Sequence, residues 1–200
     1  MLGVGAALGR LGFTPNILTI VGFLLNCVVA IIIAAGYAKI GGVLLIFSSG
    51  FDVLDGAVAR ATGQTSKFGG FFDSTVDRYS EIVVYFGVAY YLLGTDDWKT
   101  GSLLVLAAAT GALMVSYTRA RAESSGWNAE VGILARPERV VVLSLGLLFG
   151  KPIWSLWILA ILTHLTAVMR MAHVWRLATV EADEEPAATD RIDSDITTAP

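Results

Sequence analysis

The chain has one cysteine, Cys27, two histidines, His164 and His173, and few charges: 16% of its 200 residues are Asp, Glu, Lys or Arg. A lone cysteine excludes an intrachain disulfide and a cysteine-based metal cluster; Cys27 reads as a small buried hydrophobe. The two histidines do not fall on one face of a helix, so they offer no paired zinc ligands. A soluble domain carries about 25% charged residues, so the shortage of charge excludes that class. No nucleic-acid partner is expected either, because a long basic surface is missing. Residues 1–16 lack a basic stretch followed by an apolar core and a small-residue cleavage site, and no signal peptide is expected.

What is present is apolar. Hydrophobic residues make up 55% of the chain, mean hydropathy is +0.67, and the apolar runs are spread along the sequence. Such a chain is predicted to be an all-α, polytopic membrane protein. A spanning helix needs about 20 residues at about 1.5 Å each. Six candidates emerge, at about 17–36, 41–60, 68–93, 101–119, 137–150 and 153–175. Thr14 and Pro15 read as the cap and first turn of the first helix. GKP at 150–152 marks the break before the sixth. The fifth is short, since 14 residues rise only about 21 Å.

Charge placement favours six spans with both ends in the cytoplasm. Arg10, Arg60, Lys67, Arg119, Arg121, Arg136, Arg139, Arg170 and Arg176 then lie inside, and Lys39, Lys99 and Lys151 outside, as the positive-inside tendency expects. Residues 1–14 read as an interfacial helix, 15–177 as the membrane domain, and 178–200 as an acidic, disordered tail. Residues 181–200 hold seven acidic groups and one Arg; the remaining body has thirteen basic residues against ten acidic.

Within this apolar body, DVLDGAVARATGQTSKFGGFFDSTVD carries four aspartates. Asp52 and Asp55 are three apart near the inner end of the second span, and Asp73 and Asp77 four apart near the inner end of the third. Each interval returns to one helix face. The short connection, with Thr, Gly and Gln suited to a turn, makes the two helices antiparallel neighbours. Unpaired carboxylates in hydrocarbon cost several kcal/mol each, and crowded ones raise one another's pKa. Two hard divalent cations, Mg²⁺ or Mn²⁺, relieve both penalties and can clamp a phosphoryl group. Two other readings stay open. The pairs could sit at wet helix ends beside Arg60 and Arg78, or line a pathway in a six-helix divalent cation carrier. Gly56, Ala59, Gly69 and Gly70 alternate with the acids, either letting backbones approach or leaving space for a flat ligand. That alternation favours a nucleotide pocket.

The pattern Asp52-x2-Asp55-Gly56-x2-Ala59-Arg60-x8-Gly69-x3-Asp73-x3-Asp77 resembles, at every fixed position, the signature of the CDP-alcohol phosphotransferase family. Thr14-Pro15-Asn16 is similar to the segment that precedes the first span in that family. The resemblance implies six transmembrane helices around a polar, metal-containing cavity near the cytosolic face. It further implies transfer of a substituted phosphate from a CDP-linked alcohol, in lipid-making members CDP-diacylglycerol, to a second alcohol with release of CMP. Asp52, Asp55 and Asp73 would then be metal ligands, with Asp77 a ligand or the general base. Gly56, Ala59 and Gly69 would shape the nucleotide site with Arg60 and Asp55 nearby. The resemblance also implies a homodimer in the cell membrane.

Arg119 and Arg121 in SYTRARAE, and Arg136 and Arg139 in ARPER, could form a basic pocket for an acceptor phosphate. They could equally be ordinary inside arginines. SYTRARAE is similar to SYxKARAE of the family's prokaryotic phosphatidylinositol-phosphate synthases, with Arg119 in the Lys position. That likeness implies inositol 1-phosphate as acceptor; glycerol 3-phosphate is the alternative phosphorylated polyol.

Overall fold

Helix boundaries follow local chemistry in the computed structural model, which describes residue 12 and residues 14–197, leaving aside the side chains of Asp52, Val53, Asp55 and 183–197. Helix α1 is Pro15–Ala34, with Thr14 accepting from the Ile17 amide at 3.4 Å and proline in the first turn, as the TPN lead-in predicts. Helix α2, Ala38–Thr62, stops at Gly63 with φ +66, the left-handed geometry that glycine adopts without a Cβ penalty. Helix α3, Lys67–Leu93, restarts on Ser66, whose hydroxyl accepts from the Gly69 amide at 2.9 Å. Helix α4 is Trp98–Ser124 and α5 is Arg136–Leu148. Helix α6, Pro152–Thr197, starts on the third of the chain's helix-opening prolines. The reading of an interfacial helix at 1–14 falls almost wholly outside the described residues, while the segment read as a tail from residue 178 continues α6 as far as Thr197.

The helices close into a ring. Helix α1 packs on α2 and α3, α3 on α4, α4 on α6, α6 on α5, and α5 on α2. Buried apolar side chains from all six, among them Ile33, Leu45, Tyr85, Leu104, Leu147 and Leu156, form one core. The outer surface carries large exposed hydrophobics such as Leu24, Phe47, Phe86 and Trp157, as expected for a surface whose solvent is lipid. Four helices, Pro15–Ala34, Ala38–Thr62, Trp98–Ser124 and α6 over Pro152–Ala182, are long and apolar enough to cross a membrane. Helix α3 is long enough but carries Lys67, Asp73, Asp77, Arg78 and Glu81. Helix α5 has 13 residues, a rise of about 20 Å. The chain is a membrane protein, and charge enters the ring from α3 and α5 as well as from the inner half of α2.

One expectation changes. The short turn does not pack α2 along α3: among the described residues they share no extended face, and each leans on α1 instead. The hairpin therefore opens away from its turn, with α1 lying against both of its helices.

The segment between α4 and α5 is fastened to α6. The Thr166 hydroxyl accepts from the Ile133 and Leu134 amides at 3.3 and 3.4 Å. Arg170, read from sequence as an exit charge, is 5% exposed; its Nε donates to Val131 O at 2.9 Å and its Nη1 to Val115 O. Trp127 Nε1 donates to Glu181 Oε2 at 2.9 Å. Gly132 has φ +124, and a Cβ there would collide with Thr166 Cγ2. Gly132→Ala is therefore expected to cost about 1–3 kcal/mol in backbone strain, with further loss from the collision. Thermal unfolding in detergent should show a lower midpoint than for Gly126→Ala, where φ is also positive but no atom lies within 4 Å.

Candidate active site

Helix geometry sets the four aspartates at matched depths. Asp55 lies seven residues before the end of α2 and Asp73 six residues after the start of α3, each about 10 Å from the turn. Asp52 and Asp77 are each ten residues from it, about 15 Å. The side chains of Asp52 and Asp55 lie outside the description. Among the described residues no three Asp, Glu, His or Cys side chains converge, so Asp73 and Asp77 represent half of the expected ligand set. The donor chemistry of that set, carboxylate oxygen throughout, fits Mg²⁺ or Mn²⁺.

The small residues of the motif have specific neighbours. Arg60 folds back over Gly56, so that a Cβ at 56 would stand 3.2 Å from Arg60 Nη1. At Gly69 a Cβ would meet Ser66 Oγ at 3.1 Å and Asn16 Oδ1 at 3.7 Å. The TPN lead-in thus reaches the first turn of α3, beside the site. Ala59 is half-buried on α2.

The basic residues divide into three places. Arg136 and Arg139, from the first turn of α5, reach across the ring to α3. Arg136 Nη1 lies 2.8 Å from Asp77 Oδ2, and Arg78 Nη1 lies 3.9 Å from the same oxygen. Arg139 meets Glu81 with two parallel bonds, Nε to Oε1 at 2.6 Å and Nη2 to Oε2 at 2.7 Å. Glu81, Arg136 and Arg139 border a small cavity of about 20 Å³ that also touches Asn26, Ser80 and Tyr85, room for about one water. Arg119 lines a groove of about 1020 Å³ between α3 and α4. Its Nε donates to Glu123 at 2.7 Å and its Nη2 pairs with Glu130. Arg121 faces the other side of α4, in a groove of about 510 Å³ with Trp127, Arg170 and Trp175.

Sequence reasoning passed over Glu81. The signal was available, because Glu81 continues the Asp73–Asp77 spacing by one more turn. It also passed over Asn26, which is buried in α1 and accepts from Ser48 Oγ at 3.1 Å while donating to Gly22 O at 2.9 Å. Ser48 is one turn before Asp52 on α2.

Comparison with known proteins identifies the family. The family model for CDP-alcohol phosphatidyltransferase matches residues 13–175, and the chain belongs to that family. It is 39% identical to an archaetidylinositol phosphate synthase of Pyrococcus horikoshii, over 84% of this chain and 87% of that one. It is 35% identical to a phosphatidylinositol phosphate synthase of Mycobacteroides abscessus, over 84% and 80% respectively. Its fold is similar to a crystal structure of the Mycobacterium tuberculosis phosphatidylinositol phosphate synthase with CDP-DAG bound. The TM-score is 0.81 at 29% identity, covering 87% of this chain and 92% of that one. A second structure of that enzyme, in complex with manganese and citrate, also gives 0.81 at 29% identity, covering 86% and 88%.

Proposed function

We propose that this protein transfers the phosphatidyl group of CDP-diacylglycerol to inositol 1-phosphate, giving phosphatidylinositol phosphate and CMP. The observation that carries the reading is the depth-matched set of four aspartates in the splayed α2–α3 hairpin, with Gly56, Ala59 and Gly69 between them. Similarity to enzymes named for making inositol phosphate lipids supports the acceptor.

Two Mg²⁺ or Mn²⁺ ions, held by Asp52, Asp55, Asp73 and Asp77, would neutralise the pyrophosphate and stabilise the departing CMP. The protein's own groups do the rest. Gly56, Ala59 and Gly69 leave space for the cytidine diphosphate, with Arg60 beside it. The acceptor hydroxyl attacks the lipid-linked phosphorus, the bond from that phosphorus to the CMP oxygen breaks, and the hydroxyl proton passes to Asp77. Arg136 neighbours that carboxylate and is assigned to the acceptor phosphate. Arg119 and Arg121 are assigned to the acceptor's approach from α4. Six spans with both termini cytoplasmic, and a homodimer in the cell membrane, complete the proposal. The site then lies where lipid tails stay in the bilayer while the polar acceptor enters from water.

The test is a product assay with purified protein, CDP-diacylglycerol and the corresponding archaetidyl donor, each offered inositol 1-phosphate, glycerol 3-phosphate, inositol or serine. CMP release that needs Mg²⁺ or Mn²⁺, is lost with a chelator, and yields an inositol phosphate lipid is the expected result. Product from glycerol 3-phosphate alone would overturn the acceptor. Divalent cation flux in proteoliposomes without CMP release would replace the enzyme with the carrier.

A further inference from the structure

We propose that Asn26, through its hydrogen bond to Ser48, is a positioning residue for the cation site. It fixes the depth at which α2 carries Asp52 and Asp55 opposite Asp73 and Asp77 of α3. The inference rests on the transferase reading. Helices α2 and α3 share no extended face among the described residues, and both lean on α1. The direct link between the two halves of the site therefore runs through α1, by whatever fastens each helix to it.

On the α3 side the fastening is steric. A Cβ at Gly87 would stand 2.5 Å from Ala30 O and 2.8 Å from Ala30 Cα, so the two backbones touch, as small residues allow between membrane helices. One turn earlier on α1, Asn26 meets α2. Asn26 and Ser48 are each 4% exposed. Asn26 Nδ2 donates to Gly22 O at 2.9 Å, which leaves Oδ1 to accept from Ser48 Oγ at 3.1 Å. The Ser48 hydroxyl is shared with Leu45 O at 3.0 Å, so each polar side-chain atom of the pair has a partner.

Apolar contact is a weak guide to depth in a membrane, because lipid tails solvate an apolar side chain about as well as a neighbouring helix does. Between Ser49 and Thr62 the buried described residues of α2 are Ala57 and Val58. The tight backbone contacts of α2 lie farther from the α2–α3 turn. They are at Gly41, where a Cβ would collide with Ile33, and at Gly42, where it would stand 2.8 Å from Ser144 O. The Asn26–Ser48 bond is directional, and in an apolar interior no water replaces a lost partner. Ser48 and Asp52 are one turn apart, so a restraint on the depth and rotation of one restrains the backbone of the other. A shift of one residue would move Asp52 by about 1.5 Å, far more than the roughly 0.2 Å that metal coordination tolerates.

The test uses Asn26→Leu, which removes the amide at similar size and leaves the Ser48 hydroxyl on Leu45 O, and Ser48→Ala. Ser48→Thr keeps the hydroxyl. Mn²⁺ affinity is read by electron paramagnetic resonance titration of purified protein without substrates. A second readout is the distance between spin labels at Phe47 of α2 and Phe86 of α3, which are 69% and 67% exposed, in a Cys27→Ala background. Asn26→Leu is expected to raise the Mn²⁺ dissociation constant at least about fivefold and to shift or broaden the label distance, with KM for inositol 1-phosphate at saturating Mn²⁺ within about twofold. Ser48→Ala should do the same, the double variant should be no worse than Asn26→Leu, and Ser48→Thr should stay near wild type. Should Asn26→Leu fail to fold, Ser48→Ala carries the comparison. Gly132→Ala is the structural control, with a lower unfolding midpoint and an unchanged Mn²⁺ dissociation constant. The same pattern in Asn26→Leu, or an unchanged label distance, overturns the positioning role. Mn²⁺ binding by a wild type that releases no CMP with any acceptor overturns the transferase reading instead, and the affinity and distance comparisons still decide whether Asn26 sets the depth of α2.

Discussion

Asp73→Asn should lower CMP release by at least about 10³-fold with every acceptor. Asparagine keeps the size of aspartate and can still face water, so α3 has no steric reason to move. What is lost is a negative oxygen at the depth of Asp55, midway between Gly69 and Asp77. Two cations facing a pyrophosphate need that charge, and a neutral amide binds Mg²⁺ or Mn²⁺ far more weakly. Asp97→Asn is the matched control: this residue precedes α4 at the opposite end of the ring and makes no side-chain cap, so activity should stay near the wild-type level. If Asp73→Asn retains more than about a tenth of the wild-type rate at saturating Mn²⁺, the carboxylate is not part of the cation cage.

That the sequence alone points to Asp73 reflects how local the information is. Spacings of three and four residues place Asp52 with Asp55 and Asp73 with Asp77, because helical periodicity is fixed by the backbone. Pro15, Pro137 and Pro152 mark three helix starts for an equally local reason, since each ring presets φ and needs no amide partner there. The short α5 was visible too, bounded by ARPER and GKP. Partners across the ring were not. Nothing in the spacing of Arg119, Arg121, Arg136 and Arg139 says that Arg119 meets Glu123 and Glu130 while Arg139 meets Glu81, fifty-eight residues away. Likewise Arg170 looked like one more positive charge at a helix exit. Its role of holding the Val131 and Val115 carbonyls depends on a loop and on helix α4, both packed against α6. The splay of α2 from α3 was hidden for a related reason. A short turn dictates that two helices start close, but their packing on α1 decides whether they stay close.

Arg136 is where the legible and the hidden parts meet, and its replacement carries the second large expected effect. Arg136→Gln should raise the KM for inositol 1-phosphate by between about 10- and 100-fold, the range for losing a charged hydrogen-bonding partner, while the KM for CDP-diacylglycerol changes little. Maximal rate should fall as well, because Asp77 loses the guanidinium now 2.8 Å from its Oδ2; Arg78, at 3.9 Å, does not replace it. Lysine at 136 should restore part of the acceptor affinity, since it keeps the charge, but less of the rate, since it lacks the fork that can span a carboxylate and a phosphate together. Inositol without phosphate separates the two roles. If Arg136 serves the acceptor phosphate, the variant should narrow the preference for inositol 1-phosphate over free inositol. If it serves Asp77 alone, both acceptors should slow equally and the preference should stand.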